Sequence, residues 1–217
     1  MLLIFDCDGT LVDSELIALE VLSDMMSELG RPMSVAACLD AFMGRHNADI
    51  VLEIERLIGR ALPRTAGDDM RERMLVRLRV ELQPVTGVAE LLRRLEGPRC
   101  VASSSSLPRI AESLEITGLA PFFGAHVFSA SQVENGKPAP DLFLFAAAQM
   151  GVLPRDCIVI EDSVAGVEAG VAAGMAVIGF TGASHVDDHH GQRLAAAGAR
   201  AVVDGSADLG AAIARLT

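Results

Sequence analysis

The sequence contains no Trp and no Tyr, and only one of its 18 basic residues, Lys137, is a lysine. Stacking platforms for nucleic-acid bases would therefore have to be built from Arg or from the eight Phe. The basic residues are outnumbered by 29 acidic ones, which gives a formal net charge of −11. Because nucleic acids and anionic membranes are bound by neutralising phosphates with Lys and Arg, this balance argues against both as partners.

Disulfides, targeting segments and membrane spans are not indicated either. The four Cys residues are too dispersed for a disulfide framework or a C-x-x-C pair, which predicts reduced thiols in a cytoplasmic protein. The apolar start Met1–Phe5 is ended by Asp6 before a signal-peptide core could form. A long uncharged stretch, 169–186, is rich in Gly and Ala and interrupted by polar residues, unlike a membrane span. We expect a soluble monomer.

Short apolar runs alternate with helical patterns along most of the chain, which predicts an α/β fold with a doubly wound parallel sheet. The runs that predict buried strands are Leu2–Phe5, Cys100–Ala102, His126–Phe128, Cys157–Ile160, Met175–Phe180 and Ala201–Val203. The helical patterns between them are Gly87–Leu95, Pro108–Thr117, Pro140–Met150, Val164–Ala173 and Gln192–Ala197.

One interval, from residue 14 to residue 82, breaks this alternation. It has no convincing strand, and its apolar residues recur at helical spacing in three groups, around Leu22, Ile54 and Leu78. We therefore predict a Rossmann-like core formed by residues 1–13 and 83–217, with residues 14–82 inserted as a helical cap domain.

The loop after the first predicted strand, Asp6-Cys7-Asp8-Gly9-Thr10-Leu11, carries two carboxylates two residues apart. Ligands of open α/β sheets bind at the carboxyl ends of strands, where this loop must lie. A calcium loop is excluded, because its required Gly and Glu positions are occupied by Leu11 and Ile17. An ordinary turn is the alternative.

This loop resembles the first motif of the haloacid dehalogenase superfamily in its phosphatase form. Three further segments resemble the remaining motifs in the expected order: Cys100–Ser103, Gly136–Asp141, and Val159–Ser163 with Gly166 and Gly170. The resemblance covers the chain end to end. It implies a Rossmann-like core with a helical cap inserted after the first motif, as the periodicity also predicts.

The resemblance further implies a mechanism. Asp6 would attack phosphorus to form an aspartyl-phosphate, while Asp8 would protonate the leaving oxygen and then activate water. Mg²⁺ would be held by Asp6, the backbone carbonyl of Asp8 and Asp162, with Glu161 ligating directly or through water. Carboxylates gathered this closely repel one another strongly, which favours a bound cation over protonation.

The phosphoryl group itself would be bound by Ser103, Ser104, Lys137 and Gly9. Ser103 ends a strand shortly before a helix start, and hydroxyl and backbone N–H groups there form an anion site. A helix cap is the alternative for the serines after Ser103. A compact lysine ammonium suits a phosphoryl oxygen beside a carboxylate better than a planar guanidinium, which explains one Lys retained among 17 Arg.

Outside the motifs, we interpret Arg45, His46 and Asn47 as candidate contacts to the substrate beyond its phosphate, or alternatively as a solvated helix start. The His-rich segment 185–190 has no regular ligand spacing and is predicted to be a surface loop.

The predicted activity is hydrolysis of a small phosphorylated metabolite, such as a sugar phosphate or phosphoglycolate. Haloacid dehalogenation is disfavoured because Asp8 and Asp162 are present. A phosphomutase of the beta-phosphoglucomutase type remains an alternative, although the His of its first cap helix is replaced here by Ala18.

A non-catalytic phosphate-sensing or partner-binding module is a further alternative, from another class of protein, but it would predict loss of a motif residue. A serine hydrolase lacks support, since there is no G-x-S-x-G motif.

Overall fold

Within the part of the chain that the structure describes, six short segments rich in aliphatic side chains form the strands of one sheet. This computed structural model describes residues 1–42 and 47–216. Its strands are β1 (Leu2–Phe5), β2 (Arg99–Ser103), β3 (Val127–Ser129), β4 (Cys157–Glu161), β5 (Ala176–Phe180) and β6 (Ala201–Val203). Every residue of β1 and β4 is buried, as continuous apolar runs predict for strands covered on both faces.

Helices fill the intervals between the strands and the long interval after β1. They are α1 (Glu15–Glu28), α2 (Val35–Phe42), α3 (Asn47–Ile58), α4 (Ala66–Glu81), α5 (Val88–Arg94), α6 (Leu107–Ile116), α7 (Asp141–Gln149), α8 (Val164–Ala172), α9 (His190–Ala196) and α10 (Ser206–Leu216). Among the described residues, none of these helices combines the length and apolar character needed to cross a membrane.

The sheet is parallel throughout and has the strand order β3-β2-β1-β4-β5-β6. The predicted fold class is confirmed. From β1 the chain winds outward to β2 and β3 on one side and to β4, β5 and β6 on the other. The carboxyl ends of β1 and β4 therefore form the crevice where open α/β sheets bind ligands. Phe5 pairs with Ile160, so the residues that follow each strand lie side by side.

The chain forms two compact units, one of Met1–Asp13 with Gln83–Thr217 and the other of Ser14–Leu82. In the first, α7 and α8 contribute Phe143, Ala146 and Val167 to a core against the sheet. Helix α10 has no counterpart among the predicted helices. Its buried Leu209, Ala212 and Ile213 lie three and four residues apart, as on one face of a helix, so the sequence did carry a signal for it.

The second unit is a small helical bundle whose core includes Leu22, Met26, Phe42 and Ile54. Helices α1, α3 and α4 correspond to the three predicted apolar groups. Helix α2 was not predicted, because it has only eight residues and buries two of them, Cys38 and Phe42.

Candidate active site

The loop that follows β1 is a tight turn at the carboxyl edge of the sheet. The carbonyl oxygen of Cys7 accepts hydrogen bonds from the N–H groups of Leu11 and Val12, at 2.9 and 3.0 Å. Gly9 has a φ of 80°, in the left-handed region that glycine adopts without steric strain. A Cβ atom at Gly9 would also overlap the carboxylate of Asp162. Glycine is therefore required here both for backbone conformation and for the close approach of Asp162.

Lys137 lies in the loop before α7, and its ammonium joins two carboxylates from neighbouring strand ends. Its Nζ donates to Asp6 Oδ1 at 2.5 Å and to Glu161 Oε2 at 2.7 Å. All three side chains are almost fully buried. The Nζ atom also lies 5.0 Å from the centroid of the Phe143 ring. Hydrogen bonds between ionised groups are strengthened when water is excluded, so this buried group is held rigidly.

The pKa values of two members of this group are shifted upward, for different reasons. Burial raises the pKa of Asp6 well above its usual value, and the charge of Glu161 adds to the effect against the attraction of Lys137. Burial alone would lower the pKa of Lys137, but the charges of Asp6 and Glu161 and its hydrogen bonds to them raise it. Lys137 is therefore a stable cation, whereas ionised Asp6 needs nearby positive charge.

Three buried carboxylates meet at the ends of β1 and β4. Asp6, Glu161 and Asp162 each offer an oxygen that lies within 4.8 Å of the others. Lys137 contributes one ammonium, which pairs with Asp6 and Glu161, so the three carboxylates and this lysine form a net-negative group. His185 does not balance them, because burial lowers its pKa to about 4. Two like charges ~5 Å apart repel by about 3 kcal/mol at an effective dielectric of ~20. An all-oxygen, net-negative donor set fits a small hard divalent cation.

Glu161 is fixed at both carboxylate oxygens. Its Oε1 accepts from the backbone N–H and the hydroxyl of Ser163, at 3.1 and 2.7 Å, and its Oε2 accepts from Lys137. The Ser163 hydroxyl oxygen in turn accepts from Gly166 N–H at 3.0 Å and caps α8. A Cβ atom at Gly166 would overlap the Glu161 carboxylate, so this glycine makes room for it.

Asp162 is contacted by three residues from two different loops. The Thr10 hydroxyl donates to its Oδ1 at 3.2 Å. His185 Nε2 lies 3.6 Å from Oδ2, and His190 Nε2 lies 2.5 Å from the backbone carbonyl oxygen. His185 and His190 are both buried. The prediction of a surface loop for segment 185–190 is therefore wrong for these two residues, because the loop folds them inward against Asp162.

The carboxylate of Asp8 is bound by two residues that follow β2. Its Oδ2 accepts from the Ser105 hydroxyl at 2.7 Å, and its Oδ1 accepts from Arg109 Nη2 at 3.0 Å. The side chain of Asp8 is 15% exposed. Asp8 is thus a hydrogen-bonded, partly accessible carboxylate next to a buried charged group, an arrangement suited to moving protons to and from a substrate.

The predicted phosphate contacts occupy different positions around this edge. Ser103 is buried at the end of β2, where its Oγ accepts from Ser105 N–H at 3.0 Å. Ser104 is exposed at the same edge. The N–H of Gly9 donates to the Val12 carbonyl at 2.8 Å. That N–H is therefore not available for a direct contact to phosphate. Gly9 contributes to the site because it has no side chain, which leaves room for the carboxylate of Asp162.

The candidate specificity residues are only partly described. Arg45 and His46 lie outside the described residues. Asn47 begins α3, and its side chain is outside the description as well.

Several residues around the site were not singled out from the sequence as part of it. Ser105 and Arg109 contact Asp8, Thr10 contacts Asp162, and the two buried histidines lie behind it. For Arg109 a signal existed, since it lies in the first turn of the helix after Ser103. For His185 and His190 there was none, because only the fold of their loop brings them to β4.

Comparison with known proteins gives a family match over most of the chain. A sequence model of haloacid dehalogenase-like hydrolases matches residues 1–174. The 6-phosphogluconate phosphatase of Escherichia coli (strain K12) is 32% identical over 182 residues, which cover 83% of this chain and 82% of the relative. The fructose-1-phosphate phosphatase YqaB of the same strain is 34% identical over 180 residues, covering 80% and 92%.

Among solved structures, a haloacid dehalogenase-like protein of unknown function from Agrobacterium tumefaciens str. C58 is similar over 99% of this chain and 98% of its own. Its TM-score is 0.91 and its sequence identity is 43%.

Proposed function

Because the chain belongs to the haloacid dehalogenase-like hydrolases, we propose that it is a Mg²⁺-dependent phosphomonoesterase acting on a small phosphorylated metabolite through an aspartyl-phosphate on Asp6. The family and its phosphatase class, both predicted from the motifs, are confirmed by the family match and the relatives. The observation that carries the proposal is the buried carboxylate of Asp6, which is bonded to Lys137 and grouped with two further carboxylates.

The first half of the reaction transfers the phosphoryl group to Asp6. A carboxylate oxygen of Asp6 forms a bond to phosphorus as the bond from phosphorus to the substrate oxygen breaks. Asp8, protonated, gives its proton to that departing oxygen. Lys137 stays fully charged and balances the charge on the transferring phosphoryl oxygens, while Ser103 and Ser104 bind them.

The second half regenerates Asp6. Asp8, now ionised, accepts a proton from a water molecule, whose oxygen attacks phosphorus. The bond between phosphorus and Asp6 breaks, inorganic phosphate leaves, and the carboxylate of Asp6 returns to its partner Lys137. The hydrogen bonds from Ser105 and Arg109 hold Asp8 at one place through both halves.

The residues that would hold Mg²⁺ are Asp6, Asp162 and the backbone carbonyl of Asp8. When bound, the ion supplies positive charge to the phosphoryl oxygens and to the clustered carboxylates. Both oxygens of Glu161 already accept hydrogen bonds, which favours its acting through water over direct ligation.

Release of phosphate from p-nitrophenyl phosphate tests this proposal most directly. We expect turnover with Mg²⁺, none in EDTA, and recovery when Mg²⁺ is added in excess. Turnover that continues in EDTA would contradict the metal site. A properly folded chain with no turnover on any phosphate ester would favour the alternative of a non-catalytic phosphate-binding module.

Replacing Asp8 by Asn should slow the reaction by about 10²–10⁴-fold, because the proton donor and acceptor is lost while Asp6 remains. With an activated leaving group such as p-nitrophenol, the aspartyl-phosphate should form and persist. Acid quenching and intact-protein mass spectrometry measure its decay. Asp208→Asn, an exposed carboxylate on α10, is the control. Decay at the wild-type rate would show that Asp8 does not activate the water.

We propose a phosphorylated sugar, sugar acid or polyol as the substrate. This rests on the relatives from Escherichia coli (strain K12), which are a 6-phosphogluconate phosphatase, a fructose-1-phosphate phosphatase and a hexitol phosphatase. A phosphate-release screen over such metabolites tests the class. Formation of an isomeric phosphate ester with little free phosphate would instead indicate the phosphomutase alternative.

Replacing Arg45 by Ala should raise KM for the metabolite selected by that screen by about tenfold or more, because a charged hydrogen bond to a substrate contributes ~1.5–3 kcal/mol. The KM for p-nitrophenyl phosphate, which lacks the sugar groups, should change little. Arg60→Ala, an exposed arginine of the same unit, is the control. An equal rise for both substrates would place Arg45 outside the substrate contact.

A further inference from the structure

The loop after β5 brings a buried histidine, the first residue of α9, to the backbone of Asp162. His190 Nε2 lies 2.5 Å from the carbonyl oxygen of Asp162, and its Nδ1 lies 2.9 Å from Arg193 Nη2. His190 is 9% exposed, so water does not replace these partners. Both ring nitrogens of one imidazole are therefore engaged by groups of the protein.

The chemistry of the two partners determines the protonation of the ring. A backbone carbonyl oxygen can only accept, so His190 Nε2 must carry a proton and donate it to Asp162. A guanidinium can only donate, so Nδ1 must be unprotonated and accept from Arg193. The contacts therefore admit one form of His190, the neutral imidazole with its proton on Nε2.

The outer end of this chain of hydrogen bonds is anchored by Asp187. Its two carboxylate oxygens accept from the two terminal nitrogens of Arg193, at 3.1 and 2.7 Å. The hydrogen bonds from Arg193 and from the backbone N–H of His189 lower the pKa of Asp187 to about 2, so it is ionised at neutral pH. A paired guanidinium of this kind presents its remaining N–H in a fixed direction.

We propose that Asp187, Arg193 and His190 form a relay that positions Asp162 for metal binding, with His190 as the positioning residue. The relay acts on the backbone of Asp162, while Thr10 holds one oxygen of its carboxylate. Hydrogen bonds behind a metal ligand set its orientation and strengthen binding. The proposal rests on the metal site of the proposed function.

Two substitutions of His190 distinguish its hydrogen bond to the Asp162 carbonyl from its contact with Arg193. An Asn amide places its atoms near the position of Nδ1, whereas a Gln amide reaches the position of Nε2. His190→Gln should therefore keep the donor to the Asp162 carbonyl, and His190→Asn should lose it. We expect His190→Asn to weaken Mg²⁺ binding by about 10–100-fold and His190→Gln to restore most of the affinity.

The readouts are Mg²⁺ titration by calorimetry without substrate, and the tautomer of His190 from long-range ¹H–¹⁵N correlation spectra. The wild type should show a protonated Nε2 and an unprotonated Nδ1. Arg193→Met, at a half-exposed side chain, should shift the Nδ1 resonance and weaken Mg²⁺ binding less than His190→Asn does. His189→Gln, at an exposed ring next in sequence, should change neither readout.

The possible results are distinguishable. Equal Mg²⁺ affinity in the wild type, His190→Asn and His190→Gln would overturn the positioning role alone, and a proton on Nδ1 would overturn the relay. Equal weakening in His190→Asn and His190→Gln would also overturn it, because it would show a packing effect rather than donation to Asp162. Absence of Mg²⁺ binding in the wild type would contradict the proposed metal site itself.

Discussion

Replacing Asp6 by Asn is expected to lower phosphate release by about 10⁴-fold or more, because the attacking oxygen is replaced by an amide that does not form the phosphoryl bond. The substitution is nearly isosteric, and the amide oxygen can still accept from Lys137 where Asp6 Oδ1 does now. No aspartyl-phosphate should form in rapid acid-quench experiments. The loss should appear in kcat with every phosphate ester, since the step it removes is common to all.

The same substitution should not destabilise the metal-free chain. The pKa of Asp6 is raised in the folded state, first by burial and then by Glu161, so ionised Asp6 opposes folding at neutral pH. In EDTA, urea unfolding at pH 7 should therefore show Asp6→Asn at least as stable as the wild type. The difference should vanish as the pH falls below the unfolded-state pKa of Asp, about 4. Asp156→Asn, an exposed carboxylate, is the matched control.

If Asp6→Asn were both inactive and unfolded, the loss of activity would say nothing about the role of Asp6 as nucleophile. The stability measurement therefore serves to show that the inactive variant is folded. Retained activity in a folded Asp6→Asn would contradict the nucleophile assignment, whatever the metal dependence.

The position of the site could be predicted from the sequence because its residues lie at the carboxyl ends of parallel strands. Each apolar run ends in a polar residue, and the carboxyl ends of parallel strands meet at one edge. Asp6 and Glu161 are far apart in sequence, yet each directly follows or ends a central strand, and the pairing of Phe5 with Ile160 brings them together. The motifs therefore contained most of the information about which carboxylates gather.

Other features depend on tertiary contacts that leave no local pattern. Helix α2 buries too few apolar residues to show a clear helical period. The burial of His190 results from the path of the loop after β5. The polar sequence of this segment is equally compatible with a solvent-exposed loop, so it does not predict that burial. The hydrogen bond from Arg109 to Asp8 requires the register between β1 and β2, which sequence spacing does not encode.

Replacing Lys137 by Met should impair both catalysis and folding, because a similarly long apolar chain removes only the charge. Asp6 and Glu161 would remain buried without their shared ammonium. Breaking a buried ion pair from one side destabilises proteins by about 3–5 kcal/mol. The loss of a charged donor to the phosphoryl group should lower kcat by about 10²–10³-fold. Urea unfolding and phosphate release at pH 7 measure the two effects, with Arg155→Met, at an exposed side chain, as the control.

The double variant Lys137→Met/Glu161→Gln separates the two effects. Removing the negative charge of Glu161 relieves the repulsion that Lys137 balances, while the Gln amide oxygen can still accept from Ser163. We expect the free energy of unfolding to recover much of its wild-type value, because less uncompensated charge stays buried. Phosphate release should stay well below that of Glu161→Gln alone, because the ammonium that faces the phosphoryl group is still missing. Recovery of both stability and activity would show that Lys137 serves the fold alone, and that the single lysine of the sequence has no part in catalysis.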